Sequence, residues 1–298
     1  MGRDLIAASA EMRALFAEAD AILGYGLSSI ILDGPEAELR RTANTQPALL
    51  LIGTALYRLL GLAPTAVAGH SLGEYTALVA AGALTFTDAI RLVHNRGRYM
   101  QEAVPEGQGL MLALIGVEAE AVERAVREVG EGVDVANYNA PEQIVIAGAP
   151  GPTRAAAERA GARQAIELPV SAPFHSRLML PAEARLRVDL DRTAFADLAF
   201  PLYSNVDAAR VTSGAAARDA LARQVSRAVR WTDLVRAMID AESIDTVVEI
   251  GPGAVLSGLI RRIDRRVRRL NVSDLATVES VRNLLTAEHN RSATSGTP

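Results

Sequence analysis

The chain has 298 residues, 49% hydrophobic and 22% charged, which is enough to bury a sizeable core and excludes wholesale disorder. A net charge of −4 argues against a nucleic-acid binder, and the lack of cysteine excludes disulfides, thiol catalysis and thiolate metal sites. All 31 basic residues are arginine, so Schiff-base chemistry on a lysine is excluded too.

Taken in chain order, apolar residues at helical spacing predict a helix over 3–23, broken by Gly24 and Gly26. Asp33-Gly34-Pro35 reads as a turn that starts a short helix over 35–42. A buried helix follows over 47–61, with Pro47 in its first turn. Thr65-Ala66-Val67-Ala68 reads as a short strand ending at Gly69, followed by helices over 71–82 and 87–103. Residues 107–168 have their own logic: strand 110–115, helix 118–129, strands 133–137 and 143–147 around Pro141, helix 151–161, strand 163–168. That β-α-β-β-α-β order is that of a ferredoxin-like unit. Helices are expected over 176–192, 214–227, 231–242, 254–264 and 274–287. The remaining strands are 246–250, which reads as a clean buried strand, and 270–272.

Strands alternating with helices imply an α/β protein with an α/β-hydrolase-like, doubly wound parallel sheet. The large catalytic domain is discontinuous, over 1–106 and 169–287. Residues 107–168 form the inserted ferredoxin-like small domain, and 288–298 a disordered tail. No apolar run approaches the roughly 20 residues of a membrane span. Met1-Gly2-Arg3-Asp4-Leu5 lacks the regions of a signal peptide, so a cytoplasmic protein is expected.

Gly69-His70-Ser71-Leu72-Gly73, between a strand and a helix, is the nucleophile-elbow pattern. The turn is tight enough to strain the backbone and to ask for glycine at both ends. It lifts the Ser71 hydroxyl out at a helix N-terminus, where the Leu72 N–H can bind an oxyanion. The bland alternative is a small-residue turn that happens to hold a serine. The pattern alone is weak in a chain with 23 glycines, and its setting favours function. Serine needs a base. His70 flanks Ser71 in the turn, His94 lies in a helical stretch and His289 in the tail, which leaves His175, in the loop after the small domain. A helix-starting histidine with no catalytic part remains the alternative. The four histidines show no metal-ligand spacing.

Gly69-His70-Ser71-Leu72-Gly73-Glu74-Tyr75 resembles the active-site motif of the malonyl-CoA:acyl-carrier-protein transacylases, shared with the acyltransferase domains of polyketide and animal fatty-acid synthases. The resemblance extends through Thr45-Gln46-Pro47-Ala48, Arg96-Gly97, Asn137-Tyr138-Asn139-Ala140-Pro141-Glu142-Gln143, Phe174-His175-Ser176, Ser204-Asn205-Val206 and Glu249-Ile250-Gly251-Pro252-Gly253. It implies that Ser71 takes malonyl from coenzyme A, with His175 as its base and the backbone carbonyl of Gln224 orienting that base in place of an acid. It further implies that Arg96 pairs with the malonyl carboxylate, to which a planar guanidinium is suited. Phe174 matches members selective for malonyl, where a ring beside the α-carbon leaves little room for a methyl branch. Asn139 and Gln143 resemble residues near the acyl and pantetheine path.

The implied reaction is ping-pong malonyl transfer to an acyl carrier protein, in fatty-acid or polyketide synthesis, by a monomer using no metal or redox cofactor. Arg261, Arg262, Arg265, Arg266, Arg268 and Arg269 could steer an acidic carrier, though a solvated helix end is the commoner meaning of such a run. A serine esterase or thioesterase and a non-catalytic carrier-binding relative are the rival readings. The chain also departs from the family, whose members open with a buried strand and a Gly-Gln-Gly-Ser-Gln loop that completes the oxyanion hole. Here Met1-Gly2-Arg3-Asp4-Leu5 aligns with the helix after that loop. A start lying upstream is the favoured explanation, and a decayed relative the other. The chain as written is expected to leave strand edges unpaired and to lose about 10²–10³ in kcat for the absent oxyanion donor.

Overall fold

The computed structural model describes residues 2–170 and 172–295, with side chains placed through residue 288. The apolar stretch 3–23 forms two helices, Arg3–Ala8 and Ala10–Leu23. They break at Ser9, whose extended backbone and side chain cap the second helix by accepting from the Met12 N–H. A further helix, Leu27–Asp33, fits between Gly26 and Gly34, where none was expected. The central helix begins earlier than its apolar run, at Thr42, and extends to Leu60. Pro47 therefore lies inside it and leaves the Ala43 carbonyl without its helical donor. His94 Nδ1 bonds that carbonyl at 3.1 Å, which gives this histidine a structural task.

Around Thr42–Leu60 pack Ala10–Leu23 and the amphipathic helix Phe86–Glu102, forming the main core with Leu51, Leu56, Leu78 and Ile90. Gly97 lets the two longer helices cross closely, since a Cβ there would meet the Thr42 carbonyl oxygen at 2.5 Å. That crossing fixes the depth of its neighbour, Arg96.

The small unit forms a four-stranded antiparallel sheet of β1 (Leu110–Ile115), β2 (Val133–Ala140), β3 (Gln143–Gly148) and β4 (Gln164–Glu167). Its strand order is β2-β3-β1-β4, with Leu112 opposite Ile146 and Ala113 opposite Ile166. Leu110, Leu112 and Leu114 face the helices Ala119–Val129 and Pro150–Ala160, while Met111 and Ala113 join Ala136, Val145 and Ala147 on the opposite face. Leu168 and Phe174 pack on that second face, so the sheet holds the loop that carries His175. The edge of β2 is tied to the large part through Val229, which bonds the backbone of Ala136 and Tyr138, each at 2.9 Å.

The large part forms its sheets in pieces. Two short antiparallel strands, β5 (Leu202–Tyr203) and β6 (Arg210–Val211), were too brief to read from sequence. The strands β7 (Thr246–Ile250) and β8 (Arg268–Val272) pair in parallel. The expected strand at 65–68 reduces to a parallel bridge between Val67 and Leu202. Between that segment and β7 lies an apolar slot of about 940 Å³, lined by Ala66, Ala68, Ala80, Trp231, Val248 and Leu285, among others. Across this slot the parallel strands do not join into one continuous sheet among the described residues. Beside the slot, β7 is half-buried along its whole length, where a buried strand was expected. The tail expected to be disordered from residue 288 continues the last helix, Leu275–Ser295, and residues 296–298 lie outside the described residues.

Candidate active site

Ser71 sits in the turn before the helix Gly73–Ala80 with φ 51°, a left-handed backbone that costs a non-glycine residue strain. A Cβ at Gly69 would lie 2.0 Å from the Gly73 carbonyl, so the turn closes only with glycine there. Gly73 is different, because a Cβ on it would meet nothing within 4 Å. The expectation of a glycine requirement at both ends thus holds at Gly69 alone. The Leu72 N–H has no partner among the described residues.

The loop after the small unit brings His175 to this turn, also with positive φ, 57°. Arg177 steadies the loop through a 2.8 Å ion pair with Asp134 of β2. Ser71 Oγ lies 2.7 Å from His175 Nε2, and His175 Nδ1 lies 2.8 Å from the Gln224 carbonyl oxygen. A carbonyl only accepts, so Nδ1 carries the ring proton and Nε2 is free to accept from the serine. Burial, then the charge of Arg96, pushes the His175 imidazole down to about 3, so it stands neutral.

Arg96, 1% exposed, points three donors into this cluster. Its Nη1 donates to Gln46 Oε1 at 2.7 Å, and its Nη2 to Ser71 Oγ at 3.0 Å and Gln224 Oε1 at 2.9 Å. Its Nε finds no partner among the described residues. Burial is also the main influence lowering the guanidinium from its ordinary range.

The other residues singled out from sequence are placed less directly. Phe174 packs against the cluster of Met111, Ala113, Ala136, Val145 and Ala147, anchoring the His175 loop. Asn139 Oδ1 bonds His70 Nε2 at 2.8 Å, and the His70 ring lies tilted against Trp231, so the Asn139–His70 pair ties the small unit to the Ser71 turn. Gln143 takes no part in the dyad's hydrogen bonds and accepts from Arg262 at 2.9 Å. In the arginine run, Arg266 pairs with Asp264 at 2.7 Å and Arg268 with Glu288 at 2.8 Å, as in a solvated helix end. Sequence reasoning gave no role to Gln46, Glu74 or Asn205, although all three fall within the segments that carry the resemblance.

A serine–histidine pair beside a buried arginine, on an α/β scaffold with an antiparallel insert, is the arrangement that acyl chemistry at a serine would require. Residues 1–291 match the acyl transferase domain family, and the chain belongs to that family. It is 47% identical over 269 residues to the malonyl CoA-acyl carrier protein transacylase of Escherichia coli, covering 87% of each chain. To the protein of the same name from Bacillus subtilis it is 44% identical over 288 residues, 94% of this chain and 90% of the relative. A solved malonyl-transacylase, in complex with a type II polyketide acyl-carrier protein, superposes with a TM-score of 0.90 at 43% identity, covering 94% of this chain and 93% of that one.

Proposed function

We propose that the chain moves a malonyl group from malonyl-CoA to the phosphopantetheine thiol of an acyl carrier protein through a malonyl ester on Ser71. The observation that carries the reading is the position of Ser71 Oγ, 2.7 Å from a neutral imidazole nitrogen and 3.0 Å from a buried guanidinium. The imidazole supplies the base and the guanidinium a place for a carboxylate next to the bond being made.

In the first half-reaction His175 Nε2 takes the Ser71 hydroxyl proton while Oγ attacks the thioester carbon. The Leu72 N–H stabilises the oxyanion. The carbon–sulfur bond then breaks, and His175 returns the proton to the coenzyme A sulfur. In the second half-reaction the carrier thiol gives its proton to His175, its sulfur takes the acyl carbon, and Ser71 Oγ recovers a proton. Arg96 holds the malonyl carboxylate, which draws Nη2 from Ser71 Oγ. Pairing also offsets the positive charge that depresses His175, so the base strengthens as substrate arrives.

The chemistry as written uses no metal or redox cofactor, and the reading includes a monomeric, cytoplasmic enzyme. Phe174 restricts the α-carbon side of the site. An esterase triad would set a carboxylate against Nδ1, whereas here a main-chain carbonyl stands there. Intact-mass measurement after mixing with malonyl-CoA tests the proposal, with one malonyl adduct expected on Ser71. An unmodified mass would overturn it.

A further inference from the structure

Behind the nucleophile lies a carboxylate that the transfer steps do not use. Glu74 is fully buried, three residues beyond Ser71. It accepts from Gln224 Nε2 at 2.6 Å, and the Asn205 N–H lies 3.4 Å from both its oxygens. Those two partners hold both ends of residue 71. Asn205 Oδ1 accepts from the Ser71 N–H at 2.6 Å, and Gln224 Nε2 donates to the Ser71 carbonyl at 2.9 Å. Asn205 Nδ2 also donates to the Gly69 carbonyl at 2.8 Å. The strained turn is therefore clasped by two amides that Glu74 anchors.

The same contacts fix an orientation. A side-chain amide has one donor end and one acceptor end. Glu74 holds the donor end of Gln224, which leaves Oε1 to receive Arg96 Nη2. A flipped amide would set its NH₂ against the guanidinium. The direct partners of Arg96 are all neutral oxygens, of Gln46, Ser71 and Gln224. A buried guanidinium needs a compensating charge. Besides Arg96, the groups that bear electrostatically on Glu74 are its hydrogen-bonded amides and Asp207, in the loop beyond Asn205. Tyr75 on its own helix, His175 beyond Ser71 and His70 within the turn complete the titratable set around the cluster.

We propose that Glu74 is a positioning residue that clasps the Ser71 turn through Asn205 and Gln224 and supplies, through Gln224, the counter-charge of Arg96. Its substrate consequence rests on the malonyl reading above. A carboxylate seated on Arg96 brings a second negative charge to the cluster, so binding favours the protonated acid. Burial pushes the Glu74 carboxyl up to about 7, which places this coupling at neutral pH. Affinity for malonyl-CoA then weakens as pH rises through that range.

Two substitutions test this. Glu74→Ala removes both acceptor and charge, whereas Glu74→Gln keeps an oxygen for Gln224 and removes only the charge. Glu74→Ala is expected to lower kcat for malonyl transfer by roughly 10²-fold, the scale of a small misplacement of reacting groups. Labelling of Ser71 by a fluorophosphonate should slow in parallel. Glu74→Gln should retain most of kcat and lose the rise in malonyl-CoA KM that the parent shows across neutral pH. Labelling of Glu74→Ala at the parent rate, or an unchanged KM–pH profile in Glu74→Gln, overturns the proposal. If the alanine variant does not fold, the glutamine profile decides alone. Fluorophosphonate labelling needs no malonyl group, so a parent chain that labels but forms no malonyl adduct sinks the malonyl reading while Glu74 is still judged by labelling.

Discussion

Segment 65–74 has two unlike sides. Toward His175 and Arg96 its polar groups meet partners from four distant stretches of chain, at distances of 2.6–3.0 Å around Ser71. Toward β7 it faces the apolar slot, where Ala66 and Ala68 have packing space and β7 has an open edge. The first side sets where atoms react and tolerates little displacement. The second bears on how firmly the segment is backed. Chemistry and stability should therefore respond separately to substitution on the two sides.

The largest effect belongs to the polar side. His175→Ala removes the acceptor for the Ser71 proton, and malonyl-adduct formation should slow by at least roughly 10⁴-fold. Rapid-quench mass measurement checks this, and a loss under tenfold would remove the histidine from the mechanism. Arg96→Ala comes next. It should cost about 10²–10³-fold in kcat/KM for malonyl-CoA, the scale of a buried ion pair that loses one partner. Acetyl-CoA has no carboxylate and should lose far less. Equal losses on both substrates would favour an esterase.

A smaller effect is a displacement in pH. The parent imidazole is held near 3 by burial and by Arg96, so the acid limb of Ser71 labelling should lie far below the ordinary histidine value of 6.5. The sign follows from the cause. With Arg96→Ala one depressing charge is gone, the imidazole protonates more readily, and the limb moves upward toward 6.5. A limb that stays in place would mean that the charge of Arg96 does not reach the base.

The two sides also differ in how far they can be read in the sequence. Five consecutive residues announce the tight turn at Ser71, because the turn is local and its steric demand falls on Gly69. The small unit is legible for a similar reason, since its antiparallel strands lie close to one another along the chain. Gln224 is not legible from residue type, because its link to His175 is a main-chain carbonyl that any residue could offer. Its identity matters for the amide, which meets Arg96 and Glu74 across 128 and 150 residues. Glu74 and Asn205 are hidden likewise, as buried polar partners 131 residues apart leave no local spacing. Ser9 stops a helix inside an unbroken apolar rhythm, and a rhythm count does not register a single cap. The half-burial of β7 depends on what lies beside the strand, and nothing in Thr246-Val247-Val248-Glu249-Ile250 encodes that.

The smallest predicted effect tests the apolar side. Ala80 lies at the end of the helix Gly73–Ala80 and lines the slot. Ala80→Leu keeps a strong helix former and adds methyl and methylene groups toward open apolar space. At about 0.8 kcal/mol per buried CH₂, and with burial only partial, the gain should be about 1–2 kcal/mol. That corresponds to a rise of a few degrees in Tm, readable by calorimetry. The malonyl-adduct rate should stay at the parent level, because Ala80 makes no contact with the dyad's hydrogen bonds. A fall in Tm would show that the slot is closed or occupied in solution, since overpacking a filled core costs about 1–3 kcal/mol. In that case the two sides of the segment would be equally well packed, and the distinction between them would rest on polarity alone.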